Sequence, residues 1–499
     1  MVGTQQRQFI LLPREGFMVS HGPAFDVLVK LPSVQSTKHL PVKATLEPAE
    51  GGAVQIIDSV AENGPKLVEL DDKAAEALNK PNSPLRAVPI VNYRRPDPRP
   101  RPLGGASAGI AAGLTTVVIT CTDAVTSAGI ANAEVIAFTS FALRAGDEGT
   151  TDAIGDVTLR LAGATIDRVY VYPPAGFWGA FRQTLAVQPT IGVTLTPVNL
   201  TYVDCVRHYY GNSRFNPSAG VQIGVVDTGV GPHNDLNLIG GVNTVTGEQT
   251  TNYQDSDIHG THVAGLIGAN GAPPTGLRGL APNVPLRAYR VFGQGASDAT
   301  NYAILKAMIL AGQERCDIIN LSLGGGLYDD IVSEAVRDAR NQGILVVVAA
   351  GNDGRKAVSY PAAYAGATAV TAMGREGNFP AGSLEEGDVL RPPYSQLDPQ
   401  EFIAEFSNVG IQVAVTGPGV GALSTLPGNA FGPLSGTSMA APVVAGAAAC
   451  LLSRNPGVYA MTRDRARSDA IERLLQSHCV LRQFGMVYEG HGLPDPQAV

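Results

Sequence analysis

Five cysteines in 499 residues, Cys121, Cys205, Cys316, Cys450 and Cys479, are odd in number and widely spaced, and no CxxC occurs. That excludes a disulfide scaffold and a zinc pattern and leaves free buried thiols. A basic surplus is missing too. Lys and Arg total 36 against 44 Asp and Glu, a net charge of −8, whereas a nucleic-acid binder carries a basic patch or stripe. No apolar run reaches the ~18 residues that a membrane span needs. The opening MVGTQQRQFILLPREG holds an apolar run of only four residues, Phe9 to Leu12, short of the roughly 7–15 in a signal-peptide core. These absences predict a cytoplasmic protein, with export by an atypical or trimmed signal as the alternative.

What is present is globular: 44% apolar and 16% charged residues, with 58 glycines and 35 prolines for turns. The length predicts several domains. Residues 1–93 hold short apolar runs (FILL, VLVKL, VQII) and one helix signal, DDKAAEALNK, capped by Asp71 or Asp72 and stopped by Pro81. They read as a small α+β domain. RRPDPRPRPLGG opens a Pro/Arg/Gly-rich stretch, 94–112, that reads as an extended linker, or as a basic binding arm. Residues 113–199 alternate with period two; VTLRL places Val157, Leu159 and Leu161 on one face, which predicts a small β-sandwich.

From 200 to 499 the period changes. Apolar runs VQIGVVD, IINLSL and ILVVVAA alternate with helical stretches near 300–315 and 329–342, the second closed by Gly343. This predicts an α/β fold, a mostly parallel sheet with helices on both faces, whose sites lie at the carboxyl ends of the strands. Three polar clusters sit at ends of apolar runs: VVDTGV with Asp227, DIHGTHVAG with His259 and His262, and LSGTSMAAP with Ser435 and Ser438. An acid, an imidazole and a hydroxyl are the parts of a nucleophile, a base and a group that orients the base. Each cluster alone also reads as an ordinary turn, helix start or N-cap; the combination in one block is what carries meaning.

VVDTGV, HGTHVAG and GTSMAAP resemble the three catalytic motifs of the subtilisin-like serine proteases, the subtilases, in the family's order Asp, His, Ser. INLSLGGG, VVVAAGNDG, FSNVG and GPGVGALSTLPG extend the resemblance, which covers about residues 200–499. It implies a subtilisin-like fold and a serine endopeptidase acting on protein or peptide substrates through an acyl-enzyme. Carried over, Asp227 orients His259, His259 is the general base, and Ser438 is the nucleophile. Asn352 and the Ser438 N–H form the oxyanion hole. Ser322, Leu323, Gly324 and Gly325 make one backbone wall of the substrate groove, and Ala349, Ala350 and Gly351 the other. Ser359 stands at the floor of the primary pocket, where the family often has glycine; Leu323 and Ile304 line a second apolar pocket.

The first block resembles the family's inhibitory propeptide, which implies a self-inhibited zymogen with the segment ending near Tyr93 in the groove; an unrelated α+β domain is the alternative. The sandwich resembles transthyretin-like or immunoglobulin-like modules. No cofactor is required. No metal is expected: the HxxH pair has no following glutamate or third ligand, and although Asp235 matches a family calcium ligand, the segment in place of the family's main calcium loop, NGAPPTGLRG (270–279), is poor in oxygen side chains and does not support a structural calcium, which stands as the alternative. GASAG around Ser107 has the form of a nucleophile elbow but lacks the preceding strand. A non-catalytic binding protein on the same frame would be expected to lack one of the four catalytic residues.

Overall fold

The computed structural model describes residues 6–35, 42–46, 53–94, 102, 114–211 and 220–497. Most of the 94–112 linker and the GASAG motif lie outside the described residues.

An eight-stranded sheet organises the carboxyl-terminal part. Its strands run in the order Leu238–Asn243, Leu286–Arg290, Ile223–Asp227, Ile318–Leu321, Leu345–Ala349, Ala367–Arg375 and Glu401–Ile403, and Val413–Pro418 also pairs with Ala367–Arg375. All pairings are parallel except that of Glu401–Ile403. The near-continuous apolar runs follow from burial on both faces. Along Ile223–Asp227, Ile223 and Val225 join one buried cluster with the helices His259–Gly268 and Thr437–Arg454. Val226 joins the other, with Asn301–Gln313 and Asp330–Asn341. The helix Thr437–Arg454 has the length and apolarity of a membrane span, but 89% of that window is buried; it is the central core helix.

The first block is a five-stranded antiparallel sheet with two short helices, Pro23–Leu28 and Asp72–Leu78. Asp71 caps the second by accepting from the Ala74 N–H. The strand Arg7–Pro13 explains why FILL does not alternate polar and apolar. Phe9 and Leu11 face the block's own core, whereas Ile10 and Leu12 join the cluster around the two helices of the large sheet. Polar contacts accompany them: Lys306 Nζ lies 2.6 Å from Asp58 Oδ2, both buried, and Arg86 pairs with Glu334.

Between them stand a three-stranded sheet (Leu114–Asp123, Asp156–Ala162, Thr190–Leu195) and a four-stranded one (Glu134–Ser140, Ala145–Thr150, Thr165–Tyr172, Ala180–Ala186). Val157, Leu159 and Leu161 meet Val135, Val169 and Val171 in one core. Trp178 reaches out of this unit into the core of the large sheet, and the Phe181 N–H donates to Gly382 O at 2.9 Å.

Candidate active site

The strand Ile223–Asp227 ends with a buried carboxylate. Asp227 Oδ1 accepts from His259 Nδ1 at 2.7 Å and from the Thr228 N–H at 2.7 Å. The Nδ1 proton is thus committed, and Nε2 is the nitrogen left to accept one. His259 is 7% exposed, and its Nε2 is buried and unpartnered. Its helix is seated by acids that sequence reading did not single out. Asp257 Oδ1 accepts from the His259 N–H, and Asp255 Oδ2 accepts from the Thr261 N–H and hydroxyl. Burial raises the Asp255 carboxyl above its usual range. Gly260 is required by close approach: a Cβ there would stand 2.0 Å from Gly229 O. His262 points away. Its Nε2 donates to Ala422 O at 2.9 Å, and burial together with the neighbouring His259 lowers it to about 3, so it is a neutral structural group.

Ser438 is the second residue of the helix Thr437–Arg454, 1% exposed. Its hydroxyl donates to Ser322 O at 3.3 Å, and the Ser322 hydroxyl donates back to Ser438 O at 2.9 Å. The second bond compensates for a proline, Pro442, in the second turn of this helix. Its missing N–H leaves Ser438 O, four residues back, without a helical donor; the Ser322 hydroxyl takes that place. Asn352 locks the strand end to the helix start. Its Oδ1 accepts from the Thr437 N–H at 2.9 Å and the Thr437 hydroxyl at 2.8 Å, and the Gly351 N–H donates to that hydroxyl. Asn352 Nδ2 is therefore left buried and unpartnered. The structure brings Asp227 and His259 into one hydrogen-bonded pair, and Asn352, Ser322 and Ser438 into another group. The two helices that carry His259 and Ser438 pack together.

The residues expected to wall the substrate groove are held by backbone hydrogen bonds. Arg94 and Gly324 exchange both backbone hydrogen bonds, at 2.8 and 2.9 Å. On the other side Asn92–Arg94 pairs antiparallel with Asp298–Thr300, and the Asn301 N–H donates to Val91 O. Residues 91–94 thus fill a slot between two strands. Leu323 and Ile304 are fully buried in the cluster that also holds Tyr93. Gly325 has φ +74°, a left-handed backbone beside Arg94. Ala349 closes its strand, Ala350 O accepts from both the N–H and the hydroxyl of Ser359, and Gly351 has φ +109°. The Ser359 hydroxyl lies between the walls: a Cβ on Gly324 or Gly351 would come within 2.9 or 2.6 Å of it.

Calcium finds a poor donor set at Asp235. Its carboxylate is packed against Gly271 and Gly276 and accepts from the Leu277 N–H at 3.3 Å, a single acidic group where six to eight oxygens are needed. Among the described residues no group of three His, Cys, Asp or Glu could hold a metal.

A twisted parallel sheet that gathers an acid, an imidazole and a helix-start hydroxyl beside a strand-shaped groove is the frame of a serine hydrolase that acts on extended chains. The model of the subtilase family matches residues 218–487. The alkaline protease of Alkalihalobacillus alcalophilus is 39% identical over 238 residues, which cover 48% of this chain and 55% of that protein. Subtilisin Savinase of Lederbergia lenta is 39% identical over 48% of this chain and 78% of its own length. The thermostable alkaline protease of Halalkalibacterium halodurans is 35% identical over 305 residues, 61% of this chain and 76% of its own. The chain belongs to the subtilase family of serine endopeptidases and has its α/β fold.

The relatives also correct the cytoplasmic placement, because they are secreted alkaline subtilisins. The cysteines that suggested it carry no such information. Cys121, Cys205, Cys316 and Cys450 are buried, and burial pushes the thiols of Cys121 and Cys316 up to about 11 and about 12. Such thiols hold little thiolate and persist unpaired in an oxidising medium.

Proposed function

We propose that the chain is a serine endopeptidase made as a self-inhibited zymogen: residues 1–93 form the inhibitor, 94–112 the linker, 113–199 an accessory β-sandwich and 200–499 the catalytic domain. The observation that carries the catalytic reading is the buried His259–Asp227 pair at 2.7 Å with Nε2 left free. When substrate enters, the Ser438 hydroxyl turns from Ser322 O to His259 Nε2. The proton passes to Nε2 as Oγ bonds the carbonyl carbon, and Asp227 steadies the imidazolium. The oxygen that gains charge is held by the Ser438 N–H, at a helix N-terminus, and by Asn352 Nδ2. Collapse breaks the C–N bond, His259 protonates the departing amine, and the acyl group stays on Oγ. Water, deprotonated by His259, then releases the acid and restores Ser438.

Protein substrates bind as an added strand, as residues 91–94 do, between 298–300 and 322–325, with Ala349, Ala350 and Gly351 as the opposite wall of the primary pocket. Ser359 narrows that pocket, which favours small to medium side chains. The inhibitor reading rests on the fully buried Tyr93 and on both backbone bonds between Arg94 and Gly324. Casein hydrolysis by the purified chain, lost in Ser438→Ala, tests the first part. Amino-terminal sequencing tests the second; an active enzyme with no processing between about residues 85 and 110 would refute the zymogen.

A further inference from the structure

The pocket that takes Tyr93 is not apolar to its floor. Tyr93 is fully buried, and its hydroxyl lies 3.0 Å from the Tyr364 hydroxyl and 3.5 Å from Asp329 Oδ2. The Asp329 N–H donates to the Tyr364 hydroxyl at 2.8 Å. One assignment of protons satisfies every group. The Asp329 N–H donates to Tyr364, Tyr364 donates to Tyr93, and Tyr93 donates to the Asp329 carboxylate. Burial pushes the Tyr364 phenol up to about 12 and that of Tyr93 higher still, so both keep the proton this ring requires. Asp329 is itself fixed, as the cap whose Oδ1 accepts from the Ile331 N–H. The side wall is equally particular. A Cβ on Gly326 would lie 2.7 Å from the Tyr93 ring, so the ring occupies the space that glycine leaves.

We infer that this pocket selects tyrosine in substrates, with Asp329 and Tyr364 reading the phenol hydroxyl and Gly326 admitting the ring. The inference rests on the proposed groove. The position follows from the register: the pocket's residue precedes the one opposite Gly324, and the residue opposite Ser322, beside Ser438, comes two further on. Tyrosine is therefore read four residues back from the bond cut. Phenylalanine leaves the Tyr364 proton without its acceptor in a buried site, a loss of about tenfold.

The test uses the full chain incubated until its peptidase activity is constant, with succinyl-X-Ala-Ala-Ala-p-nitroanilides in which X is Tyr, Phe or Ala. Ratios of kcat/KM within one preparation do not depend on the active fraction. The wild type should prefer Tyr to Phe by about tenfold. Tyr364→Phe, which removes one of the two groups that read the hydroxyl, should lower the ratio severalfold, an effect of the order of one lost hydrogen bond. Gly326→Ala should lower Tyr and Phe alike, and both more than Ala. Equal rates for Tyr and Phe in the wild type, or an unchanged ratio in Tyr364→Phe, overturn the inference and leave the protease reading standing. Asp329→Asn, which keeps the helix cap, replaces Tyr364→Phe if that variant does not fold, with the same drop in ratio expected. No turnover of any peptide overturns both readings.

Discussion

Asp58→Asn tests the docking of the first block on the protease. Lys306 Nζ and Asp58 Oδ2 stand 2.6 Å apart with side-chain exposures of 9% and 3%. The substitution preserves volume and removes the counter-charge. A buried charge deprived of its partner costs about 3–5 kcal/mol. That cost falls on the docked state alone, because Lys306 returns to water once the block leaves. At 1.4 kcal/mol per factor of ten, docking should weaken by about 10²–10³. The assay is the rate at which a fluorophosphonate labels Ser438 in freshly purified full chain, a measure of the fraction of time the groove is open. Asp58→Asn should label faster by about 10²–10³. Removing both charges, in Asp58→Leu with Lys306→Met, should return the rate toward the parent, since an apolar pair in place of a buried ion pair is near neutral. A single variant that labels within twofold of the parent, or a double variant as fast as the single, would refute the reasoning.

Asn352→Asp keeps the acceptor for Thr437 and loses the donor; kcat should fall by about 10²–10³ with KM nearly unchanged, and an equal change in the two would argue against an oxyanion donor. Ser359→Gly removes the hydroxyl between Gly324 and Gly351, so profiling with peptides that vary the residue before the cut should show a shift toward larger side chains. His262 carries the pH dependence. Its folded value of about 3 lies below the ordinary 6.5. Between these two values the unfolded chain binds the extra proton, so stability is full above about pH 6.5 and is lost as pH falls toward 3, by several kcal/mol. Urea midpoints at pH 7 and 4.5 should differ less in His262→Gln than in the parent.

The parts of the site that could be read from the sequence are those whose signal is local. Asp227, His259 and Ser438 each sit where an apolar run meets a polar turn, so chain order and strand ends locate them. The α/β class follows from apolar runs without alternation, which need cover on both faces. FILL has the same texture for a different reason, since Ile10 and Leu12 are covered by helices about 300 residues away in sequence. Contacts between distant residues left no comparable trace. The Ser322 hydroxyl serves a carbonyl 116 residues on, and Thr437 and Asn352 meet across 85. Nothing near Pro442 in the sequence shows which group satisfies the carbonyl that it frees. Asp329 and Tyr364 carry no motif, and nothing local distinguishes the polar floor they make from an apolar one.

Ser438 as the nucleophile and His259 as its base can be tested in one step. Mass spectrometry of the chain treated with a fluorophosphonate, after limited proteolysis to free the groove, measures this directly. One adduct is expected, on the peptide that spans 434–446 and localised to Ser438, absent in Ser438→Ala and strongly slowed in His259→Ala. An adduct on Ser435, equal labelling of Ser438→Ala, or no adduct after residues 1–199 have been removed would contradict it.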